Sequence, residues 1–87
     1  MACEVAAVRR GDVVRIVYED VTIFKDMDIP SSPSLRVAWG VVQEANEKFL
    51  ILCFEKALIP GLEEPRWTGI LIPIQNILRI EKFGRAS

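Results

Sequence analysis

Apolar residues in this chain fall into short dense runs, separated by polar breaks that contain proline or glycine. Residues 13–24 are the richest in Val, Ile, Tyr and Thr, side chains that suit a pleated, half-buried surface. Glu19 and Asp20 interrupt that run and divide it into two extended segments. Residues 25–34 carry Pro30 and Pro33 among serines and aspartates, a composition that forbids regular pairing and predicts a loop. Residues 35–44 alternate, placing Leu35, Val37, Trp39 and Val41 on one face of a strand. A tight turn at residues 45–48 follows, with Asn46 suited to positive φ. Residues 49–58 form the next strand, apolar on both faces. Phe49, Ile51 and Cys53 lie on one side, Leu50, Leu52 and Phe54 on the other. Pro60 and Gly61 break it, and residues 60–66 make an acidic loop. Residues 67–72 and 76–83 supply two more strands.

The first ten residues admit two readings. Val5 and Val8 sit at helical spacing, with Gly11 as a stop and Arg9 and Arg10 at the negative helix end. An extended arm fits almost equally well, because so short a helix is marginal in isolation. Five short strands with turns between them predict a mainly β fold: a small, strongly bent, antiparallel barrel of the SH3-like kind. Residues 1–87 form one domain, with residues 1–10 as arm or short helix and 84–87 as a tail.

Composition narrows the chemistry. At 87 residues the chain buries a thin core, so barrel closure or subunit contacts are expected to support it. A net charge of -1 lacks the basic excess of most phosphate-binding domains. Locally, Arg66, Arg79, Lys82 and Arg85 face Glu81 alone within residues 66–87, and Arg9, Arg10 and Arg15 form a second cluster. The chain has no His and only Cys3 and Cys53, far apart, which argues against a zinc site or any other metal centre. Cys53 reads as a small core residue, and two unpaired thiols suit a reducing cytoplasm. No leader pattern and no apolar run of about 18 residues is present, so a membrane role is not expected.

Nothing assembles a catalytic constellation. The carboxylates occur as adjacent pairs, Glu19-Asp20 and Glu63-Glu64, which point to opposite faces when extended. Asp26 and Asp28 lack the further ligands of a calcium loop and read as turn residues. Trp39 and Tyr18 read as packing residues. Trp67 beside Arg66 has the right chemistry to stack a base, although core or interface is the commoner use of Trp. The expectation is a protein that is no enzyme and needs no cofactor.

The spacing Gly40-x-Val42-x-x-x-Asn46-x-x-Phe49-Leu50 resembles the first motif of the Sm-like proteins. Ile72-Pro73-Ile74-Gln75-Asn76-Ile77, with Ile80 beyond, is similar to the second. The likeness covers residues 4–83. It implies a five-stranded barrel with an N-terminal helix, and rings made by pairing the fourth and fifth strands of neighbours. It also implies RNA binding, yet the pocket positions hold Leu50, Pro73 and Ile74, which cannot read a base edge. The scaffold carries over; the uridine-binding chemistry does not.

Two functions follow as expectations. One is a non-catalytic, oligomeric Sm-like module associated with RNA or ribonucleoprotein, contacting its partner through Arg66, Trp67, Arg79, Lys82, Arg85 and Asn46. The other is a protein-interaction or scaffold module without a nucleic-acid role. Leu50, Leu52, Phe54, Ile70 and Ile72, the surplus apolar strand positions, are the expected interface of a homo-oligomer.

Overall fold

The computed structural model describes residues 2–21, 25–58, 61 and 66–86, with backbone alone for residues 2 and 3. Parts of two expected elements, residues 22–24 of the first strand run and the Pro60 and Glu63-Glu64 stretch of the acidic loop, lie outside these.

The fold is mainly β. Five strands carry it: β2 (Asp12–Asp20), β3 (Ser34–Ala45), β4 (Phe49–Ala57), β5 (Arg66–Pro73) and β6 (Ile77–Arg85). A two-residue strand, β1 (Ala2–Cys3), precedes them. All pairings are antiparallel, in the order β1-β6-β2-β3-β4-β5. The expected N-terminal helix is a single 3-10 turn, Val5–Ala7, and a second such turn, Ile74–Asn76, leads into β6. Val5 and Val8 keep helical spacing, but the segment is too short to propagate a helix.

The expected closure is corrected. Among the described residues no ladder joins β5 to β6, so the sheet is bent but open. β1 pairs on the outer side of β6, Ala2 with Glu81 and Cys3 with Ile80, where closure would need another strand.

β2 is the central strand, and its alternation sets the inside. Asp12, Val14, Ile16 and Tyr18 are buried while their neighbours are half-buried. Val42, Leu50, Leu52, Ile72, Ile80 and Val8 complete the core. Register shifts interrupt the ladders at Val13/Val14, Val17/Tyr18, Val42/Glu44 and Cys53/Glu55. Each such shift adds local twist and bends the strand that bears it.

Two glycines make the bend at β4 possible. A Cβ on Gly40 would lie 2.6 Å from the Cys53 carbonyl oxygen. A Cβ on Gly69 would overlap the Leu52 carbonyl oxygen. Both flanking strands therefore press onto the same two residues of β4, and only glycine fits on either side.

Asp12 ties the two ends of the chain together. Its Oδ2 accepts a hydrogen bond from the Arg9 N–H at 2.8 Å and lies 3.3 Å from Lys82 Nζ. Its Oδ1 accepts no hydrogen bond and faces Arg85 Nε at 3.5 Å. Around it, the Gly11 N–H donates to the Val42 carbonyl and the Ala86 N–H to the Gly11 carbonyl. The Arg9 hydrogen bond, followed by Lys82 and Arg85, holds the Asp12 pKa below its ordinary value against the opposing effect of burial.

Two predictions follow from this packing. Gly69→Ala should lower unfolding stability in urea by about 1–3 kcal/mol, because the β4 backbone cannot retreat from the new methyl. Asp12 has a folded pKa below the unfolded 3.8, so its contribution is complete above that value. It fades as pH falls through the folded pKa. Asp12→Asn should therefore unfold more easily at neutral pH and lack this part of the stability loss below about pH 5.

Candidate functional site

The face opposite the core is unusually apolar. Register places Val13 beside Val41, Arg15 beside Trp39, Val17 beside Val37 and Glu19 beside Leu35, all on the outer surface of β2 and β3. Leu35, Val37, Trp39 and Leu71 are exposed there, with Trp39 at 58 %. The expectation that these β3 residues share a face holds, but Trp39 does not pack inside. The concave side of the bend has little room, and β3 presents Gly40 and Ala38 to it. The large residues consequently stand outward.

Trp39 is the start of a polar chain across this face. The Arg15 guanidinium lies over its ring, 5.6 Å from the centroid, and Arg15 Nη1 donates to Glu81 Oε1 at 2.7 Å. Arg79 Nε approaches the same oxygen at 3.4 Å. A cation over an indole face is attracted to the ring quadrupole, and Glu81 fixes the guanidinium in place.

Beside this chain runs a groove of about 680 Å³. Trp39, Trp67, Val13, Cys53 and Phe54 line it, together with the charged Glu55 and Lys56. The Lys56 ammonium lies 5.3 Å from the Trp67 centroid. Phe54 sits at the register shift between Cys53 and Glu55, which turns its ring to the surface. Cys53 is half-buried in the groove rather than a core residue, because its strand position faces outward beside Gly69.

The residues expected to contact a nucleic acid or other partner do not converge. Arg66 and Trp67 begin β5 at one edge of the sheet, while Arg79, Lys82 and Arg85 lie on β6 near the other. Lys82 and Arg85 are directed to Asp12, and Arg85 Nη2 also donates to the Arg10 carbonyl at 2.7 Å. Arg79 faces Glu81. Arg66 makes no ion pair among the described residues.

Asn46 is a turn-builder. Its Oδ1 accepts from the Lys48 and Phe49 N–H groups at 2.8 and 3.0 Å, and its Nδ2 donates to Glu44 Oε2. Its φ is not positive; only Asp26 is so among the described non-glycine residues. The turn closes through side-chain acceptance, as an Asx turn does.

Of the expected interface residues, Leu50, Leu52 and Ile72 are fully buried in the chain's own core, and Ile70 packs against it. They are corrected to core residues, since β4 and β5 turn this face inward. Phe54 alone of the five is exposed. The ring contacts of Arg15 and Lys56 escaped the sequence reading because a cation on an aromatic face depends on strand register, which alternation alone does not specify.

Asn46→Ala should lower stability by about 1 kcal/mol in urea unfolding, because two backbone donors lose their acceptor. Asn46→Asp should retain most of it by keeping an oxygen at that point. Comparison of the chain with protein-family models, with curated proteins and with solved structures found no match.

Proposed function

We propose that this chain is a non-catalytic assembly module of Sm-like kind, acting as a homo-oligomeric scaffold through its open sheet edges. The observation that carries this reading is the outer side of β5, Arg66–Pro73, which pairs with no strand among the described residues. An unpaired edge strand presents a row of free backbone groups to any strand that can align with it. Leu71 stands exposed beside that edge, and no lysine interrupts Arg66–Pro73.

The Sm-like resemblance supports the same reading. The strands that this family joins between neighbours correspond here to β5 and β6, which flank the sheet on opposite sides. β1 covers β6 only at Ile80 and Glu81.

Association with RNA is the weaker reading, because Arg79, Lys82 and Arg85 are turned to Asp12 and Glu81, and Arg66 stands apart from them on β5.

Native mass spectrometry of the purified chain at about 50 µM tests the proposal, and more than one chain per particle is expected. Leu71→Lys should weaken association about ten-fold or more with an unchanged far-UV spectrum, since Leu71 supports no core contact. A wild-type monomer overturns the assembly reading. Oligomers unaffected by Leu71→Lys overturn the role of β5. Nucleic acid retained in the particle would revive the RNA reading.

A further inference from the structure

β3 and β4 separate along half their length. Their ladder begins at the Ala45–Leu50 pair and, among the described residues, ends at Val41–Cys53. Beyond it, residues 34–40 of β3 pair only with β2, and residues 55–57 of β4 pair only with β5. The two strands thus fork at Gly40 and Cys53. The Val42 carbonyl accepts from the Gly11 N–H, so the polar groups of Val42 point toward β2. No register shift interrupts the β2–β3 ladder, and successive residues of a strand aim their N–H and C=O to opposite sides. Gly40, Ala38 and Arg36 therefore face β2, while Trp39, Val37 and Leu35 turn their N–H and C=O into the fork.

A cleft opens at this fork on each face of the sheet. On the outer face it is the groove described above, which Trp39 and Phe54 help to line. On the inner face is a cleft of about 550 Å³, lined by Tyr18, Ala38 and Ile70 and again by Trp39 and Phe54. Tyr18 is only 7 % exposed, and its hydroxyl makes no hydrogen bond among the described residues. It is not an enclosed orphan like Asp12 Oδ1, so it reaches the surface of this cleft. The charges beside the fork offset one another: Arg36 Nε lies 3.2 Å from Asp20, and Glu55 neighbours Lys56.

We infer that the fork takes up an extended, uncharged peptide segment of another protein as an added strand on β3. Its large apolar side chains turn to the outer groove and its hydroxyl-bearing ones to Tyr18. The free N–H and C=O groups of Leu35, Val37 and Trp39 supply the main-chain bonds of such an addition. An extended segment alternates its side chains between two faces, and the fork offers a cleft on each. The balanced charge gives no pull on a phosphate or on an acidic or basic chain, so burial and main-chain bonds set the preference. The outer side of β5 lies across β4 from the fork, so this site is separate from the assembly edge.

Amide exchange of the full chain, read by NMR, tests this with a blocked peptide of about six residues alternating leucine and threonine. In the chain alone, the Val37 and Trp39 amides should exchange freely while those of Ala38 and Gly40 are protected. The peptide at about 1 mM should slow Val37 and Trp39 about ten-fold, and a fully N-methylated version should not. Val37→Pro removes one fork-facing donor and no β2–β3 bond. It should keep the far-UV spectrum and weaken the peptide about five-fold. Exchange that the peptide leaves unchanged overturns the site. Slowing confined to the amides of β5 overturns it too, and assigns the peptide to the assembly edge. Val37 and Trp39 amides already protected in the chain alone also overturn it. Protection lost on dilution gives the fork to a second copy, and protection kept gives it to the chain's own residues.

Discussion

The contact on which the rest depends is the close approach of three backbones at Leu52 and Cys53. Gly40 on one side and Gly69 on the other allow β3 and β5 to press against β4 where any side chain would collide. That approach bends the sheet hard enough for all five long strands to enclose one small core. It also removes space from the concave side of β3. The strand answers by turning small residues inward and Leu35, Val37 and Trp39 outward. The apolar outer face is thus a by-product of the bend, and the groove inherits part of its lining from the same geometry.

Much of the fold was legible in the order of residues. The strand positions followed from alternation and from the breaks at Pro33, Asn46 and Gly61. Asn46 marked the β3–β4 turn correctly, although it closes the turn by accepting hydrogen bonds rather than by adopting positive φ. What alternation cannot say is which of two faces is inward. For β3 alternation puts Leu35, Val37, Trp39 and Val41 on one face without saying which, and the bend sets that face outward. For β4 both faces were apolar, and only register assigned Leu50 and Leu52 to the core and left Phe54 outside.

The candidate site was less legible, for a related reason. Charges were readable as clusters along the chain, but their partners come from distant strands. Lys82 and Arg85 have Glu81 as their one acidic neighbour within residues 66–87, while in the fold both lie beside Asp12, some seventy positions earlier in the chain. Arg15 and Lys56 seemed ordinary until their rings appeared beneath them. A basic tail therefore became the counter-charge of a buried carboxylate, and two scattered tryptophans came to line one groove.

The pairing of Asp12 with Arg85 has a mechanical consequence. β2 and β6 are antiparallel, and the chain enters one and leaves the other at the same end. A force that draws these two ends apart loads the ladder at its first rung only. The hydrogen bonds then fail one after another, as teeth in a zip, instead of resisting together in shear. Drawn apart at Asp12 and Arg85, β2 and β6 would therefore part readily.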